Sequence, residues 1–201
     1  MSMIYELDKS ILFFFNETIK NGFFDTFFVF MSDKRSVFYF VPLAALIIYI
    51  MYKKNGRPAL KKAMTAIIIA GIAVGISDLF AARVVKPIFA RPRPCQVLEG
   101  LNFWRVRSEI WVITDGISSF RSSFSFYSNH ASNSMAAAAA LSLFYKKMTA
   151  VFIPISLFIG ISRMYLGMHY PSDVVTGWIF GAAIGYMIFC LSRRYSGKFL
   201  T

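Results

Sequence analysis

Acidic residues are scarce in this chain of 201 residues: 10 Asp and Glu face 22 Lys and Arg, a formal charge of +12. Charge of either sign is thin, at 16% of residues, against about 25% in an ordinary soluble domain. With 57% hydrophobic and 17% aromatic residues, the chain is neither disordered nor a soluble nucleic-acid binder, although its charge balance alone would suit nucleic acid. Two cysteines, Cys95 and Cys190, are too few and too separated for a disulfide scaffold. Two histidines on separate segments, His130 and His169, with one obvious carboxylate form a poor ligand set, so no metal and no cofactor is expected. Glu6 and Asp8 stand where a cleaved signal peptide would be positive, so none is expected. There is no internal repeat or low-complexity tract. One domain over 1–201 is expected, and nothing in the sequence sets an oligomeric state.

Long apolar runs are plentiful. A helix crosses a bilayer with about 20 mainly apolar residues. Val37–Tyr52, Ala63–Val85, His130–Tyr145, Met148–Leu166 and Asp173–Ser192 meet or approach that length. The fold class is therefore an all-α polytopic membrane protein of about six helical segments, five of them clear spans. The remaining segment, Ile11–Met31, has Phe15, Ile19, Phe23, Phe27 and Phe30 on one face and Asn16, Glu17, Lys20, Asn21 and Asp25 on another. That pattern suits an amphipathic helix in the interface or a sixth span, with Asn21-Gly22 as a breaking point.

Cations in short loops orient such a chain. Lys53, Lys54, Arg57, Lys61 and Lys62 fill one connection, Lys146 and Lys147 another, and Arg193, Arg194 and Lys198 the tail. Threading five spans puts all three groups on one side, the cytoplasm. The 86–129 loop and the short 167–172 turn then face outward, across an inner membrane.

Three polar clusters gather on that outer side. Lys86 to Pro94 reads Lys-Pro-Ile-Phe-Ala-Arg-Pro-Arg-Pro, a basic stretch on the face that should be poor in cations. Ser128-Asn129-His130 opens the alanine-rich helix; Ser128 suits an N-cap, and a helix N-terminus attracts anions. In the third cluster, Arg163 interrupts an apolar helix and calls for an anionic partner. Pro171 begins the last helix, so His169 at its lip and Asp173 inside can meet; a carboxylate on one ring nitrogen makes the other a better nucleophile. Cations, two histidines, a carboxylate and a helix N-terminus on one face suit a phosphate.

Lys86-(six)-Arg93-Pro94, Ser128-Asn129-His130 and Ser162-Arg163-(five)-His169-(three)-Asp173 resemble the three signature motifs of the type 2 phosphatidic acid phosphatase (PAP2) superfamily. The resemblance runs over about residues 35–192. The second motif differs, with Tyr127 and Asn129 at positions usually Pro and Gly. The resemblance implies a metal-independent bacterial lipid phosphatase. In it His169 attacks phosphorus, Asp173 supports it, and His130 protonates the leaving oxygen. Lys86, Arg93, Ser128, Asn129 and Arg163 hold the phosphoryl oxygens. The partners it implies are the bilayer and a phospholipid or polyprenyl phosphate: undecaprenyl diphosphate, phosphatidylglycerol phosphate or a lipid A phosphate. A phosphotransferase using the same intermediate is the alternative. An anion transporter fits less well, because the spans offer no linked charged path.

Arg91, Arg105, Arg107 and Arg121 are weaker candidates, for headgroup contacts. The aromatic residues of the outer loop read as an interfacial belt or as the rim of a lipid access path. Asp78, inside a span, is expected to pair with Arg83 or the basic cluster. The Gly71/Gly75 and Gly177/Gly181/Gly185 rows are expected to let helices approach closely.

Overall fold

A computed structural model describes residues 3–116 and 124–195. In chain order these form α1 (Met3–Phe13), a π-helical turn (Phe14–Thr18), α2 (Gly22–Ser32), α3 (Val37–Phe80) and a second π-helical turn (Ala81–Val85). Then follow α4 (Lys86–Phe89), α5 (Pro94–Val97), β1 (Glu99–Arg105), β2 (Ile110–Asp115), α6 (Asn129–Phe144), α7 (Thr149–Tyr165) and α8 (Pro171–Tyr195). Three tracts are long and apolar enough to cross a membrane: Phe38–Val97, Lys146–Tyr165 and Pro171–Arg194.

The first tract makes two crossings. As one straight rod, α3 would run for about 66 Å, more than twice the hydrocarbon core. Gly56, at φ 67° and ψ −161°, interrupts it in a conformation only glycine adopts readily. Tyr39, at the start, packs on Phe30 of α2, whose terminal Ser32 meets Arg163; Asp78, at the end, accepts from Asn129 at 2.9 Å. Both ends of α3 therefore lie beside the ends of α6 and α7 that carry the motifs, and the limbs reverse direction at Gly56.

The alanine-rich α6 has 16 residues, fewer than the other spanning tracts. Its surroundings explain this: α3, α7 and α8 pack around it, so it meets protein where a lipid-facing helix must match the bilayer. Close approach is possible because α8 presents glycines to it. A Cβ at Gly177 would sit 2.8 Å from the Ser128 carbonyl, and Cβ atoms at Gly181 and Gly185 would overlap the Ser132 and Ala136 carbonyls. The other glycine row behaves differently. Among the described residues, Gly71 and Gly75 have no neighbour within 4 Å of where a Cβ would be, so they show no close helix contact.

The N-terminal segment does not cross. It is two 11-residue helices, each about 16 Å long, broken before Gly22, where Asn21 caps α2 by accepting from the Phe24 N–H at 3.0 Å. Asn16 between them is fully buried. Its amide donates to the Asn102 and Tyr165 carbonyls, each at 2.7 Å, and accepts from the Asn102 N–H at 2.8 Å. That single side chain ties the segment to the 86–129 loop and to the end of α7.

Part of the 86–129 loop is an antiparallel hairpin, which the sequence did not signal. Trp104 faces Trp111 across the strands, with ring centroids 5.3 Å apart, and a shift in register falls between Glu99 and Asn102 beside Gly100. The hairpin rests on the turn between α7 and α8. Gly167 allows this: its φ is 71°, and a Cβ there would lie 2.8 Å from the Asn102 carbonyl.

Candidate active site

The α7–α8 turn folds back on its own start. The backbone N–H groups of Met168 and His169 both reach the Arg163 carbonyl, at 2.9 and 3.2 Å, which sets two members of the third motif side by side. Pro171 then begins α8, as its missing N–H allows. His169 is 2% exposed and Asp173 fully buried.

The two side chains meet, though just beyond hydrogen-bond distance. Asp173 Oδ2 lies 3.6 Å from His169 Nδ1. That oxygen instead accepts from the Ser125 hydroxyl at 2.5 Å and the Tyr170 N–H at 2.9 Å. Ser125 Oγ is itself 3.3 Å from His169 Nδ1, so one hydroxyl touches both the ring and the carboxylate. With Nδ1 protonated toward Ser125, the other nitrogen, Nε2, is left with its lone pair free. Burial holds the imidazole well below its ordinary pKa, and the cations of Arg93, Arg163 and Lys86 push it in the same direction. His169 is thus neutral at pH 7 and lies in the field of all three motif cations.

Lys86 is buried and donates to the Phe124 carbonyl at 2.9 Å. The helical path continues through Lys86 to Phe89 and ends where Ala90 turns left-handed at φ 42°. Pro87 is tolerated because it falls in the first turn of α4. Arg163 is 5% exposed and meets Ser32 and Met168, while its Nε is buried without a partner among the described residues. A buried guanidinium with an open N–H suits an incoming anion.

The second motif caps α6. The Ser128 hydroxyl accepts from the Ala131 N–H at 3.5 Å, and its backbone N–H donates to the Asp173 carbonyl at 3.1 Å, joining the N-termini of α6 and α8. Asn129 turns its side-chain amide to Asp78, as does Asn133 at 2.8 Å, so Asp78 is held by two amides of α6. Tyr127 is fully buried and stacks on Phe180 with centroids 5.2 Å apart. The two departures from the family motif therefore have packing and hydrogen-bonding roles. His130 is half-buried and, with Arg163, lines a cleft of about 950 Å³ whose walls include Asp25, Ser32, Trp104 and Trp111.

The weaker arginine candidates separate. Arg91 donates to Asp173 Oδ1 at 2.7 Å and to Asp8 Oδ2 at 2.8 Å, and so belongs to the supports of Asp173. Arg105 and Arg107 are exposed toward the tip of the hairpin, near cleft-lining Val106 and Glu109. Arg121 lies outside the described residues. Sequence reasoning missed Ser125, Asp8, Ser32 and Asn16. A serine in a serine-rich loop and an aspartate near the N-terminus carry no local signal, since their partners lie far away in the chain.

A buried histidine beside a buried acid, in the field of three cations, lies at the end of the helical bundle of a polytopic membrane protein. The PAP2 superfamily pattern matches residues 59–196, and the chain belongs to that family of membrane lipid phosphatases, which hydrolyse phosphoric monoesters. It is 28% identical over 200 residues to the lipid A 4'-phosphatase of Bacteroides thetaiotaomicron, covering 98% of this chain and 82% of that one. Among solved structures it resembles Aquifex aeolicus LpxE, with a TM-score of 0.61 at 22% identity, over 92% of this chain and 95% of that one. The PAP2-type phosphatidylglycerolphosphate phosphatase of Bacillus subtilis has a TM-score of 0.60 at 18% identity, over 96% and 88% of the two chains. These two likenesses establish the fold.

Proposed function

We propose that the protein removes a phosphate from a lipid headgroup at the outer face of the cytoplasmic membrane, through a phosphohistidine on His169. The observation that carries this reading is the neutral, buried imidazole linked by Ser125 to Asp173 and set in the field of Lys86, Arg93 and Arg163. Nε2 of His169 attacks phosphorus as the bond to the lipid oxygen breaks. His130 gives its proton to that oxygen. A water then attacks the phosphohistidine, returning a proton to His130 and releasing inorganic phosphate. Lys86, Arg93, Arg163 and the N-terminus of α6, with Ser128 and Asn129, hold the phosphoryl oxygens; positioning and charge dominate this chemistry. The cations supply charge stabilisation that needs no metal.

The outward assignment rests on the opposite end of the bundle. Lys62 lies over Tyr145, with its Nζ 5.1 Å from the ring, beside Lys146 and Lys147. Phe144 meets Phe189 at 5.0 Å, and Arg193 lies over Phe189. The basic loops thus gather away from His169, as the positive-inside rule expects of the cytoplasmic face. Among substrates, the full-length likeness to a lipid A 4'-phosphatase favours a lipid A phosphate over undecaprenyl diphosphate or phosphatidylglycerol phosphate.

The test is phosphate release from a panel of these lipids by detergent-purified protein in EDTA. Wild type is expected to remain active, with lipid A phosphate the best substrate, and His169→Ala to lose about a thousandfold or more in kcat. Loss of activity in EDTA, or activity surviving in His169→Ala, overturns the mechanism.

A further inference from the structure

Asp173 faces two ways. Its Oδ2 serves Ser125 and the Tyr170 N–H; its Oδ1 accepts from Arg91 Nη1 at 2.7 Å. An arginine given wholly to that carboxylate would neutralise the charge the acid presents toward His169. It is not given wholly. Arg91 Nη2 donates to Asp8 Oδ2 at 2.8 Å, so two carboxylates share one guanidinium. The side chains of Asp8, Arg91 and Asp173 are 6%, 24% and 0% exposed, so water screens this chain of charges weakly.

Asp8 also holds the segment on which Asp173 sits. It accepts from the Ser172 N–H at 2.8 Å and the Ser172 hydroxyl at 2.5 Å, and Arg91 Nη1 reaches the same hydroxyl at 2.7 Å. The Ser172 N–H is one of the unpaired donors of the first turn of α8, so an aspartate from α1 caps a helix 164 residues away. The Arg91 guanidinium is fixed from a further side by the Tyr170 ring, 3.9 Å away.

We infer that Asp8 is a positioning residue for the phosphatase reaction, acting through Arg91 to hold Asp173 in place with its negative charge retained. It touches neither substrate nor reacting atoms. Removing its charge leaves Arg91 paired to Asp173 alone and frees the first turn of α8, so the support of the imidazolium-like transition state weakens while substrate binding persists. The inference rests on His169 and Asp173 being the nucleophile and its acid.

The experiment is steady-state phosphate release by the full chain in detergent. The variants are Asp8→Asn, Asp8→Glu, Arg91→Met and the Asp8→Asn/Arg91→Met double variant, with His169→Ala as control. Asp8→Asn is expected to lower kcat by about tenfold to a hundredfold, the range seen when a supporting partner of a site ligand is lost, and to leave KM within about twofold. Asp8→Glu, which restores the charge on a longer arm, recovers part of the loss. The double variant is slower than Arg91→Met by much less than the factor Asp8→Asn costs alone, because only the Ser172 contacts of Asp8 remain for it to act through. An Asp8→Asn enzyme with wild-type kcat beside an inactive His169→Ala overturns the inference alone, as do strictly additive losses. An active His169→Ala overturns the functional reading beneath it. If Asp8→Asn does not yield folded protein, Arg91→Lys decides, because lysine lacks the planar fork whose two nitrogens meet Asp173 and Asp8 separately. Lowered kcat at constant KM supports the inference; wild-type kcat overturns it.

Discussion

A histidine that attacks phosphorus must hold its lone pair at working pH, while the acid that protonates the leaving oxygen must hold its proton. The environment of His169 meets the first demand by burial and by three nearby cations, which oppose a further positive charge. The sign can be followed in both folding and activity. The unfolded ring takes a proton near its ordinary value of about 6.5, whereas the folded ring does so only well below it. Stability from the neutral ring is complete above that ordinary value and falls as pH drops toward the folded one. With only two histidines in the chain, the measurement is direct. In ¹⁵N-histidine NMR of detergent-solubilised His130→Asn, the single remaining imidazole is expected to titrate well below pH 6.5. A titration at or above that value contradicts the neutral nucleophile.

Among the elements, α6 and α8 form the axis of the site, because Ser128 joins their N-termini and the α8 glycines let their backbones meet. The two glycine rows offer a controlled comparison. Gly181→Ala forces a methyl onto the Ser132 carbonyl, and is expected to destabilise by about 1–3 kcal/mol and to lower activity by separating the two N-termini. Gly71→Ala meets open space and is expected to change stability by no more than about 1 kcal/mol, in the stabilising direction. Thermal unfolding in one detergent, with phosphate release alongside, tests both. Equal destabilisation contradicts the packing assignment. Small-residue spacing was legible in the sequence for both rows. Which row meets a neighbour was not, because spacing defines a face of a helix and leaves its partner open.

At the scale of the molecule, the chain is an integral membrane protein with its polar chemistry at one end and its basic loops at the other. Cysteine labelling reads the orientation. Cys95 is buried and unsuitable as a reporter. After replacement of both native cysteines by serine, Arg107→Cys at the hairpin tip is expected to react with an impermeant thiol reagent in intact spheroplasts. Lys54→Cys is expected to react only after permeabilisation. The reverse pattern contradicts an outward site.

The sequence by itself determined the membrane class, the three motifs and the distribution of loop cations, because each is carried by residue type and short spacing. It also marked the break at Asn21-Gly22 and Ser128 as a helix cap, both local backbone preferences. Only the tertiary structure decided that residues 11–31 stay on the side of the site, that Ser125 contacts both His169 and Asp173, and that Arg91 is shared with Asp8. Those contacts span from 44 to 149 residues of chain. Pairings at such separations follow from which helix ends the fold brings together, a property of the packed bundle that no local pattern encodes.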